Sequence, residues 1–516
     1  MSPPRRLLPL LAAVLLVTAS CTSSAPSGSE APSVSAPAVT VPGSPSPATP
    51  EPSPSSGPSG PFEMPMAVVT DFKALRNTIT AAEVQAELAD GSILQPCEIA
   101  EGATCRPAAE LVDLVAGTPG ALAMVPASMV QPQVKVLPVD GADPFGNAEA
   151  RGASYPFVET LDALPEGWEP WDGSDVRTLM SVGESCPDRG VAYQAITLGK
   201  GWDYVFGGGT AAYNSIYPNP VGPGEVGDGF NIVDATDTGN DGLVWDTIRA
   251  ADITVEDFEC PVTNNWGVND GVVFSIDPRT LTYLADGGTD IVTLAANHVH
   301  DQGQPGFLET LQHFRDAGIA YAGVGENLDE ALTPAVYDAN GLRFAVVGWN
   351  WVPGPIEATP DQPGVAWMTE ENVRESVRRA SEAADVVICM PQWGYLEYRF
   401  ELSQEERDIA AVMLDAGCDQ ILGNGAHWAG EIDIAPGANG PNATILSHGN
   451  FLFGQSWAQE SQEGMLVEMA FVGTRLAQVR VHPYIMLNQA RAAFTDYATD
   501  GSYLLNRVFN VSRIEY

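Results

Sequence analysis

Basic residues are scarce in this 516-residue chain, which has 24 lysines and arginines against 66 aspartates and glutamates. The formal net charge of −42 repels nucleic acid and anionic lipid headgroups. Binding to any polyanion would therefore need a local cationic or metal site. We expect no nucleic-acid partner.

Long apolar runs are also absent. The run from Leu7 to Val17 is too short to span a bilayer as a helix, and no later stretch is long and apolar enough. With arginines before it and small residues after it, this run predicts a secretory signal over residues 1–20. Cys21 follows in "LVTASC", which is similar to a bacterial lipoprotein cleavage box. We expect lipidation of Cys21 and anchoring to the outer face of the cytoplasmic membrane; the alternative is an ordinary cleaved signal peptide.

Two regions follow the predicted signal. Residues 21–61 are almost wholly Ser, Pro, Thr, Ala, Gly and Glu, which predicts a disordered tether. Residues 62–162 contain helical apolar spacing in 79–88 and 107–116 and the strand-like runs "ALAMVPASMV" and "VKVLPV". The stretch from Pro119 to Thr160 resembles the closing part of phosphate-type periplasmic binding proteins. We therefore expect a small α/β domain that binds a partner or ligand.

Cysteines are few, and two of them lie close together. Cys97 and Cys105 bracket the short loop "CEIAEGATC", and in an exported chain this spacing predicts a local disulfide. The spacing leaves open how the later cysteines pair, namely Cys186, Cys260, Cys389 and Cys418.

Residues 191–486 alternate between apolar strand-like runs and amphipathic helices. The predicted strands include "DIVTL", "LRFAVVGW", "DVVICM", "DQILG" and "ATILSHGNF", and the predicted helices include "PGFLETLQHFRDAG" and "SQEERDIAAVMLDAG". Ser403 and Glu406 have the spacing of a capping box at the start of the second helix. This alternation predicts an α/β sheet domain with functional groups at its strand ends, and residues 487–516 form a C-terminal extension.

Polar side chains follow several of these strands. Their spacing along the chain is too dispersed for a local zinc motif. Oxygen and nitrogen donors at successive strand ends can converge on a metal pair that clamps a phosphate or activates a water. The candidates lie in the segments "WDYVFGGG", "DFECPVT", "LAANHVHDQG", "MPQWG", "LGNGAHWAGE" and "LSHGNFLFG".

Four stretches of this region carry a family resemblance. "NHVHDQG", "AGIAYAGVGENLDEALTPAVYDANGLRFAVVGW" and "QWGYLEYRFELSQEERDIAAVMLDAGCDQILGNGAH" with "LSHGNFLFG" are similar, in the expected order, to the CapA family of poly-γ-glutamate capsule biosynthesis proteins. That family is a branch of the calcineurin-like metallophosphoesterase superfamily. The resemblance implies a four-layer α/β/β/α sandwich.

The resemblance also implies roles for individual residues. Asp203 is the expected first metal ligand, and Glu259 is the acidic residue that bridges or faces the second metal. Asn297 matches an asparagine ligand, and His298 matches the adjacent histidine that polarises or protonates a reacting group. Asp301 would orient His298 through a hydrogen bond.

Two positions depart from the family pattern. Gln392 stands in "QWG" where the family has "HWG", and Asn424 stands in "GNGAH" where it has "GHHPH"; His427 persists. Amide oxygens bind borderline metals less well than imidazole. Gln392, Asn424 and His427 complete the predicted ligand set, with weak occupancy by manganese, iron or zinc.

Two hypotheses of function follow. The first is a metal-dependent hydrolase or transferase acting at the cell surface in capsule, poly-γ-glutamate or related envelope-polymer biogenesis. Its partners would be an anionic envelope polymer or the proteins that make it. The second is a non-catalytic surface lipoprotein that binds polymer or ligand and has lost metal-dependent activity.

Overall fold

The structure, a computed structural model, describes residues 60–101, 105–215, 233–393 and 397–515. The predicted signal segment, the lipidation site at Cys21 and nearly all of the predicted tether lie outside these ranges. Among the helices that are described, none has both the length and the apolar character needed to cross a membrane.

The first domain contains a six-stranded sheet and three helices, of which α1 (Ala81–Asp90) and α2 (Ala108–Ala116) pack against the sheet and α3 (Ala148–Gly152) has no buried residue. Strand β1 is central, because it pairs with β4, β5 and β6. Both predicted helices and the strand in "VKVLPV" are confirmed, whereas only the first half of "ALAMVPASMV" is a strand, because Ala127–Met129 forms a 3-10 turn. Strands β1 to β6 are, in chain order, Phe62–Asp71, Ile93–Pro96, Cys105–Arg106, Leu122–Pro126, Val134–Val136 and Val158–Leu161.

The second domain is built on two further sheets. The larger has ten strands: β7 (Val176–Cys186), β8 (Thr210–Tyr213), β9 (Ala235–Gly239), β10 (Ile253–Phe258), β11 (Ile291–Thr293), β12 (Ala320–Ala322), β21 (Asn450–Phe453), β22 (Glu463–Val472), β23 (Arg475–Leu487) and β24 (Arg491–Thr495). Its strands β7, β10, β11 and β12 run parallel, so their carboxyl ends share one edge.

The smaller sheet has six strands, of which β15, β17, β18 and β20 run parallel. Its strands are β14 (Ala335–Ala339), β15 (Leu342–Asn350), β17 (Val386–Gln392), β18 (Gln420–Leu422), β19 (Ile432–Ala435) and β20 (Asn442–Ile445). A separate short pair consists of β13 (Val324–Gly325) and β16 (Gly364–Val365).

The second domain also contains nine α-helices within the described ranges. They are α4 (Arg189–Ala192), α5 (Trp202–Val205), α6 (Leu243–Arg249), α7 (Thr280–Gly287), α8 (Gly303–Ala317), α9 (Leu328–Ala331), α10 (Glu370–Ala383), α11 (Gln404–Ala416) and α12 (Gly501–Val511). The predicted capping box at the start of α11 is confirmed, because Ser403 and Glu406 each bond the other's backbone N–H.

Successive side chains of a strand point to opposite faces of its sheet, so one strand contributes to the cores on both sides. In β15, Phe344 and Val346 face the core between the two sheets, whereas Ala345 and Val347 face the core under α10 and α11. A third core lies between the large sheet and helices α6, α7 and α8. Helix, sheet, sheet and helix therefore stack in the predicted order, and the expected four-layer α/β/β/α class is confirmed.

The domain boundaries differ from the sequence prediction. The large sheet begins with β7 at Val176, before the predicted boundary at residue 191. Strand β24 lies in the predicted C-terminal extension, yet it pairs with both β23 and β8 in the same sheet. Apolar side chains of α12 join the core between the sheets. The described part of the predicted extension, residues 487–515, thus completes the fold instead of extending it.

A buried ionic cluster joins the first domain to the large sheet. Arg480 of β23 pairs with Asp143 of the first domain and lies 3.5 Å from Glu468 of β22. His482 donates to the same Glu468 carboxylate at 2.9 Å. Burial raises the pKa of Glu468, but the charges of Arg480 and His482 outweigh burial and lower it to about 2.

We predict that Arg480→Ala lowers the free energy of unfolding by about 3–5 kcal/mol, because it leaves buried Asp143 without its cation and Glu468 with only His482. The matched control is Arg378→Ala, which removes two exposed ion pairs within α10 and should leave the melting temperature unchanged. Urea unfolding and thermal melts of both variants are the measurements.

The pH dependence gives a second measure of the same cluster. A carboxyl group with a depressed pKa stabilises the fold above its unfolded pKa of about 4.3. In the wild type this contribution should disappear as the pH falls from about 4 to about 2, and the Arg480→Ala variant should show a flatter profile there. Equal stability of the wild type and the variant at pH 7 would contradict the account.

Candidate metal centre

The carboxyl ends of parallel strands from both sheets meet at one edge, as expected for an open α/β arrangement. This edge brings together side chains from six segments: Glu184 at the end of β7, Glu259 after β10, Asn297 and His298 after β11, Gln392 at the end of β17, Asn424 and His427 after β18, and His448 after β20.

Close packing of the backbone positions Glu184. A Cβ atom on the preceding Gly183 would lie 2.2 Å from the carbonyl oxygen of Gly449, so only glycine fits there. Glu184 Oε1 accepts hydrogen bonds from the backbone N–H of Gly425 at 2.7 Å and from Ser447 Oγ at 2.9 Å. These contacts fix a fully buried carboxylate.

His427 pairs with that carboxylate. Its Nδ1 lies 2.6 Å from Glu184 Oε2 and 2.9 Å from Asn450 Oδ1. Burial disfavours the imidazolium, but Glu184 and Glu259 outweigh burial and raise the pKa of His427 to about 10. His427 also adopts a left-handed backbone, with φ of +57°, which an L-residue seldom holds without support from its surroundings.

Glu259 lies opposite this pair and is also buried. Its Oε1 accepts a long hydrogen bond of 3.4 Å from Gln392 Nε2. The same Nε2 also donates to Asn297 Oδ1 at 3.2 Å. Within the described part of the chain, Glu259 Oε2 and Gln392 Oε1 have no hydrogen-bond partner. Burial raises the pKa of Glu259 to about 7, although His427 and His298 oppose the shift.

His298 has the geometry expected of an acid or base. Its Nδ1 donates to Asp301 Oδ2 at 2.9 Å, and the same oxygen accepts the backbone N–H of Phe274 at 2.8 Å. Burial lowers the pKa of His298, but the Asp301 hydrogen bond and the charge of Glu259 outweigh burial and raise it. Asp301 thus contacts His298 as the orienting role requires.

Asp203 was wrongly assigned as a ligand. It lies exposed on the short helix α5, where its Oδ1 accepts from the hydroxyl of Tyr283 at 2.9 Å. Glu184 occupies the place that the prediction gave to Asp203. The missed signal was "VGES", a glycine and an acidic residue at the end of an apolar strand, because that strand was placed outside the predicted domain.

Asn424 and His448 complete the edge with uncharged donors. Asn424 Nδ2 donates to the carbonyl of Leu422, and its Oδ1 has no partner among the described residues. Burial lowers the pKa of His448 to about 4, against the opposing charge of Glu184, so the ring is neutral at pH 7. His448 is not part of the close group of Glu184, Glu259 and His427.

A disulfide ties together the two strands that carry the acidic residues. Cys186 lies two residues after Glu184, and Cys260 directly follows Glu259; the two cysteines are bonded across 74 residues of chain. Disulfides also join Cys97 to Cys105 and Cys389 to Cys418. The first of these two is the local pair expected from the spacing.

The donor set fits a divalent cation. One ligand atom each from Glu184, Glu259 and His427 lies within 4.8 Å of the others. Buried oxygens of Glu259, Gln392 and Asn424 are available nearby without a described partner. Two buried carboxylates and an imidazole form the mixed oxygen and nitrogen environment that zinc, manganese or iron accepts.

Comparison with known proteins identifies the family. The sequence model of the bacterial capsule synthesis protein PGA_cap family matches residues 179–455, which is more than half of the chain and includes every segment of the centre. The chain belongs to this family.

Individual relatives are more distant. The chain is 28% identical over 230 residues to the capsule biosynthesis protein CapA of Bacillus anthracis, covering 42% of this chain and 54% of that protein. It is 28% identical over 225 residues to the PGA biosynthesis protein CapA of Bacillus subtilis, covering 42% and 57%. The chain thus spans about half the length of the curated relatives that it matches.

Among solved structures, the calcineurin-like phosphoesterase YfkN of Bacillus subtilis is similar with a TM-score of 0.33 and 12% identity, covering 64% of this chain and 96% of that one. This similarity is too low to support an argument about chemistry. The layers seen in the structure itself are the evidence for the sandwich.

We predict that the protein binds Mn²⁺ or Zn²⁺ at this centre and that Glu184→Gln or His427→Gln weakens binding by about a hundredfold or more. Even indirect partners of metal ligands contribute about 10–100-fold in affinity. Asp203→Asn is the matched control and should bind like the wild type. Calorimetric titration decides, and loss of binding in the Asp203 variant alone would show that the ligands are assigned wrongly.

Proposed function

We propose that this protein acts at the bacterial cell surface in the biogenesis of a capsule, poly-γ-glutamate or a related anionic envelope polymer. The family match across the whole centre is the observation that carries this proposal. The names of the relatives, which are capsule and PGA biosynthesis proteins, indicate the pathway.

The proposed location rests on the sequence. A signal segment over residues 1–20 and a lipid on Cys21 would anchor the protein to the outer face of the cytoplasmic membrane. The tether of residues 21–61 would then hold the folded part away from the membrane. In this arrangement the first domain would contact a ligand or partner of the polymer machinery.

The centre would carry out hydrolysis or transfer at a phosphoester or amide bond. Glu184, Glu259 and His427 would hold a divalent cation, with Asn297, Gln392 and Asn424 supplying amide oxygens around it. A cation bound there would supply Lewis-acid polarisation of the substrate and a lower pKa for a bound water.

His298 and Asp301 would carry out the proton transfer. His298 is part-exposed and hydrogen-bonded to Asp301, so it can hold a proton at Nε2 and donate it to the leaving oxygen or nitrogen. Asp301 would keep the ring in the orientation that presents Nε2. Burial of the acidic residues would exclude bulk water from this step.

A non-catalytic binding role is the second candidate. Gln392 and Asn424 are carboxamides at positions where the family resemblance implies imidazoles, and carboxamides bind zinc and manganese less well. The protein would then keep the fold and the groove of its relatives while binding polymer without cleaving it.

The experiment for the proposed function is genetic complementation. A strain that lacks the protein should lose most of its cell-bound anionic polymer, measured as glutamate after acid hydrolysis of washed cells. The wild type and Asp203→Asn should restore the polymer. Undiminished polymer in the deletion strain would contradict the proposal, and Glu184→Gln tests whether the centre is needed.

A gain-of-ligand variant separates the two candidates. We predict that Gln392→His with Asn424→His tightens zinc binding, because both side chains already lie at the centre and imidazole is the better ligand. If the native centre is catalytic with its present ligands, the wild type should instead bind metal tightly and stoichiometrically. A folded double variant with no gain in affinity would mean that these two positions do not face the cation.

A further inference from the structure

The disulfide between Cys186 and Cys260 lies next to both acidic residues of the centre. Cys186 is two residues after Glu184, and Cys260 directly follows Glu259. The two Cα atoms of the cysteines are 5.3 Å apart, and both residues are fully buried. Their side chains pack in the core between the large sheet and helices α6, α7 and α8, whereas Glu259 reaches Gln392 of the small sheet. The bond thus supports the acidic pair from behind without filling the centre.

The hydrogen-bond ladder is irregular where β7 carries Glu184. On one side β7 pairs with β10, and the register shifts at Gly183. On the other side β7 pairs with β21, and the register shifts again at Phe451. A bulge disrupts the ladder locally, and bulges are common next to active sites, where they change the direction of a side chain. The ladder therefore constrains this end of β7 less tightly than a regular ladder would.

The two acidic side chains are held by different numbers of hydrogen bonds. Glu184 Oε1 accepts three, from two backbone N–H groups and from the hydroxyl of Ser447. Glu259 Oε1 accepts one of 3.4 Å from Gln392 Nε2, and Glu259 Oε2 has no partner among the described residues. Hydrogen bonds to the side chain thus position Glu184, whereas the position of Glu259 depends on its backbone.

Two bonds join the backbone at Glu259 to β7. The N–H of Glu259 donates to the carbonyl of Ser185 at 2.9 Å. The disulfide then joins the next residue of each segment, Cys186 and Cys260. Strand β10 ends at Phe258 and strand β7 ends at Cys186, so the covalent bond lies where the two strands stop. It therefore holds together the two ends that carry the acidic residues.

Electrostatic repulsion makes this constraint important. Ligand atoms of Glu184, Glu259 and His427 lie within 4.8 Å of one another. Two carboxylates buried this close together repel each other, because buried charges are screened little by salt. A covalent bond between the two backbones opposes the separation that the repulsion favours.

We propose that the Cys186–Cys260 disulfide is a positioning element of the metal centre, which holds the backbone of Glu259 against that of Glu184 so that both carboxylates bind one cation. This inference rests on the proposed function, because it requires a centre that binds a divalent cation. It adds a covalent bond on which the affinity for that cation depends. Ligands that are already in place bind more tightly than ligands that must be ordered on binding.

The test is calorimetric titration of the full chain with Mn²⁺. The double change Cys186→Ala with Cys260→Ala removes the bond and leaves every proposed ligand in the chain. We expect the affinity for Mn²⁺ to fall by about tenfold or more, as when an indirect partner of a metal ligand is removed. Circular dichroism and thermal melts would show that the titration is made on folded protein.

A second variant separates positioning from packing. Cys186→Val with Cys260→Ala restores most of the buried volume but not the bond. If the disulfide acts by positioning, this variant should melt at a higher temperature than the double alanine variant and should still bind Mn²⁺ more weakly than the wild type. Recovery of the full Mn²⁺ affinity by the volume alone would overturn the proposal.

The matched control is Cys389→Ala with Cys418→Ala. This second disulfide is also buried, and it joins β17 to the residues just before β18. Its cysteines lie in the core under α10 and α11 and do not adjoin an acidic residue of the centre. The control should lower the melting temperature and leave the affinity for Mn²⁺ unchanged.

Three further results would overturn the proposal: wild-type affinity in the folded Cys186→Ala, Cys260→Ala variant, an equal loss of affinity in the control, or failure of both Cys186 variants to fold. The last result would assign the bond to the fold alone. No Mn²⁺ binding by the wild type would refute the centre itself. Binding that Glu184→Gln abolishes but the disulfide variants retain would refute the positioning role and leave the proposed function intact.

Discussion

The buried pair of Glu184 and His427 is the interaction on which the site depends. Fully buried charges are costly unless they are paired and hydrogen-bonded. The fold meets this requirement with two backbone N–H groups, Ser447 and Asn450, which lie at the same sheet edge in the loops after β18 and β20 and at the start of β21. Those contacts need β7 of the large sheet and the loop after β18 of the small sheet to meet, so the centre requires both sheets of the sandwich.

Much of the fold follows from local patterns. Apolar alternation in "LRFAVVGW" and the capping box before α11 are short-range signals, and the structure contains the corresponding strand and helix. The predicted domain boundaries were wrong for a physical reason. Strands β7 and β24 are recognisable as part of the sheet only through their partners, since β24 pairs with β8 from nearly 300 residues earlier.

The candidate site was likewise predictable from the sequence only in part. Glu259, Asn297, His298, Gln392, Asn424 and His427 follow apolar strands closely enough to be found from sequence, and the structure gathers them at one edge. Asp203 also precedes a glycine run, but local sequence does not reveal that α5 faces solvent. The Cys186–Cys260 bond could not be predicted from local sequence, because its two cysteines are 74 residues apart in the chain.

The central claim is that Glu184, Glu259 and His427 form a metal centre. Anomalous diffraction from crystals grown with Mn²⁺, collected above and below the manganese absorption edge, tests it most directly. The account predicts a manganese peak within bonding distance of all three side chains. A peak elsewhere, such as beside Asp203, with no density between these three residues, would contradict it.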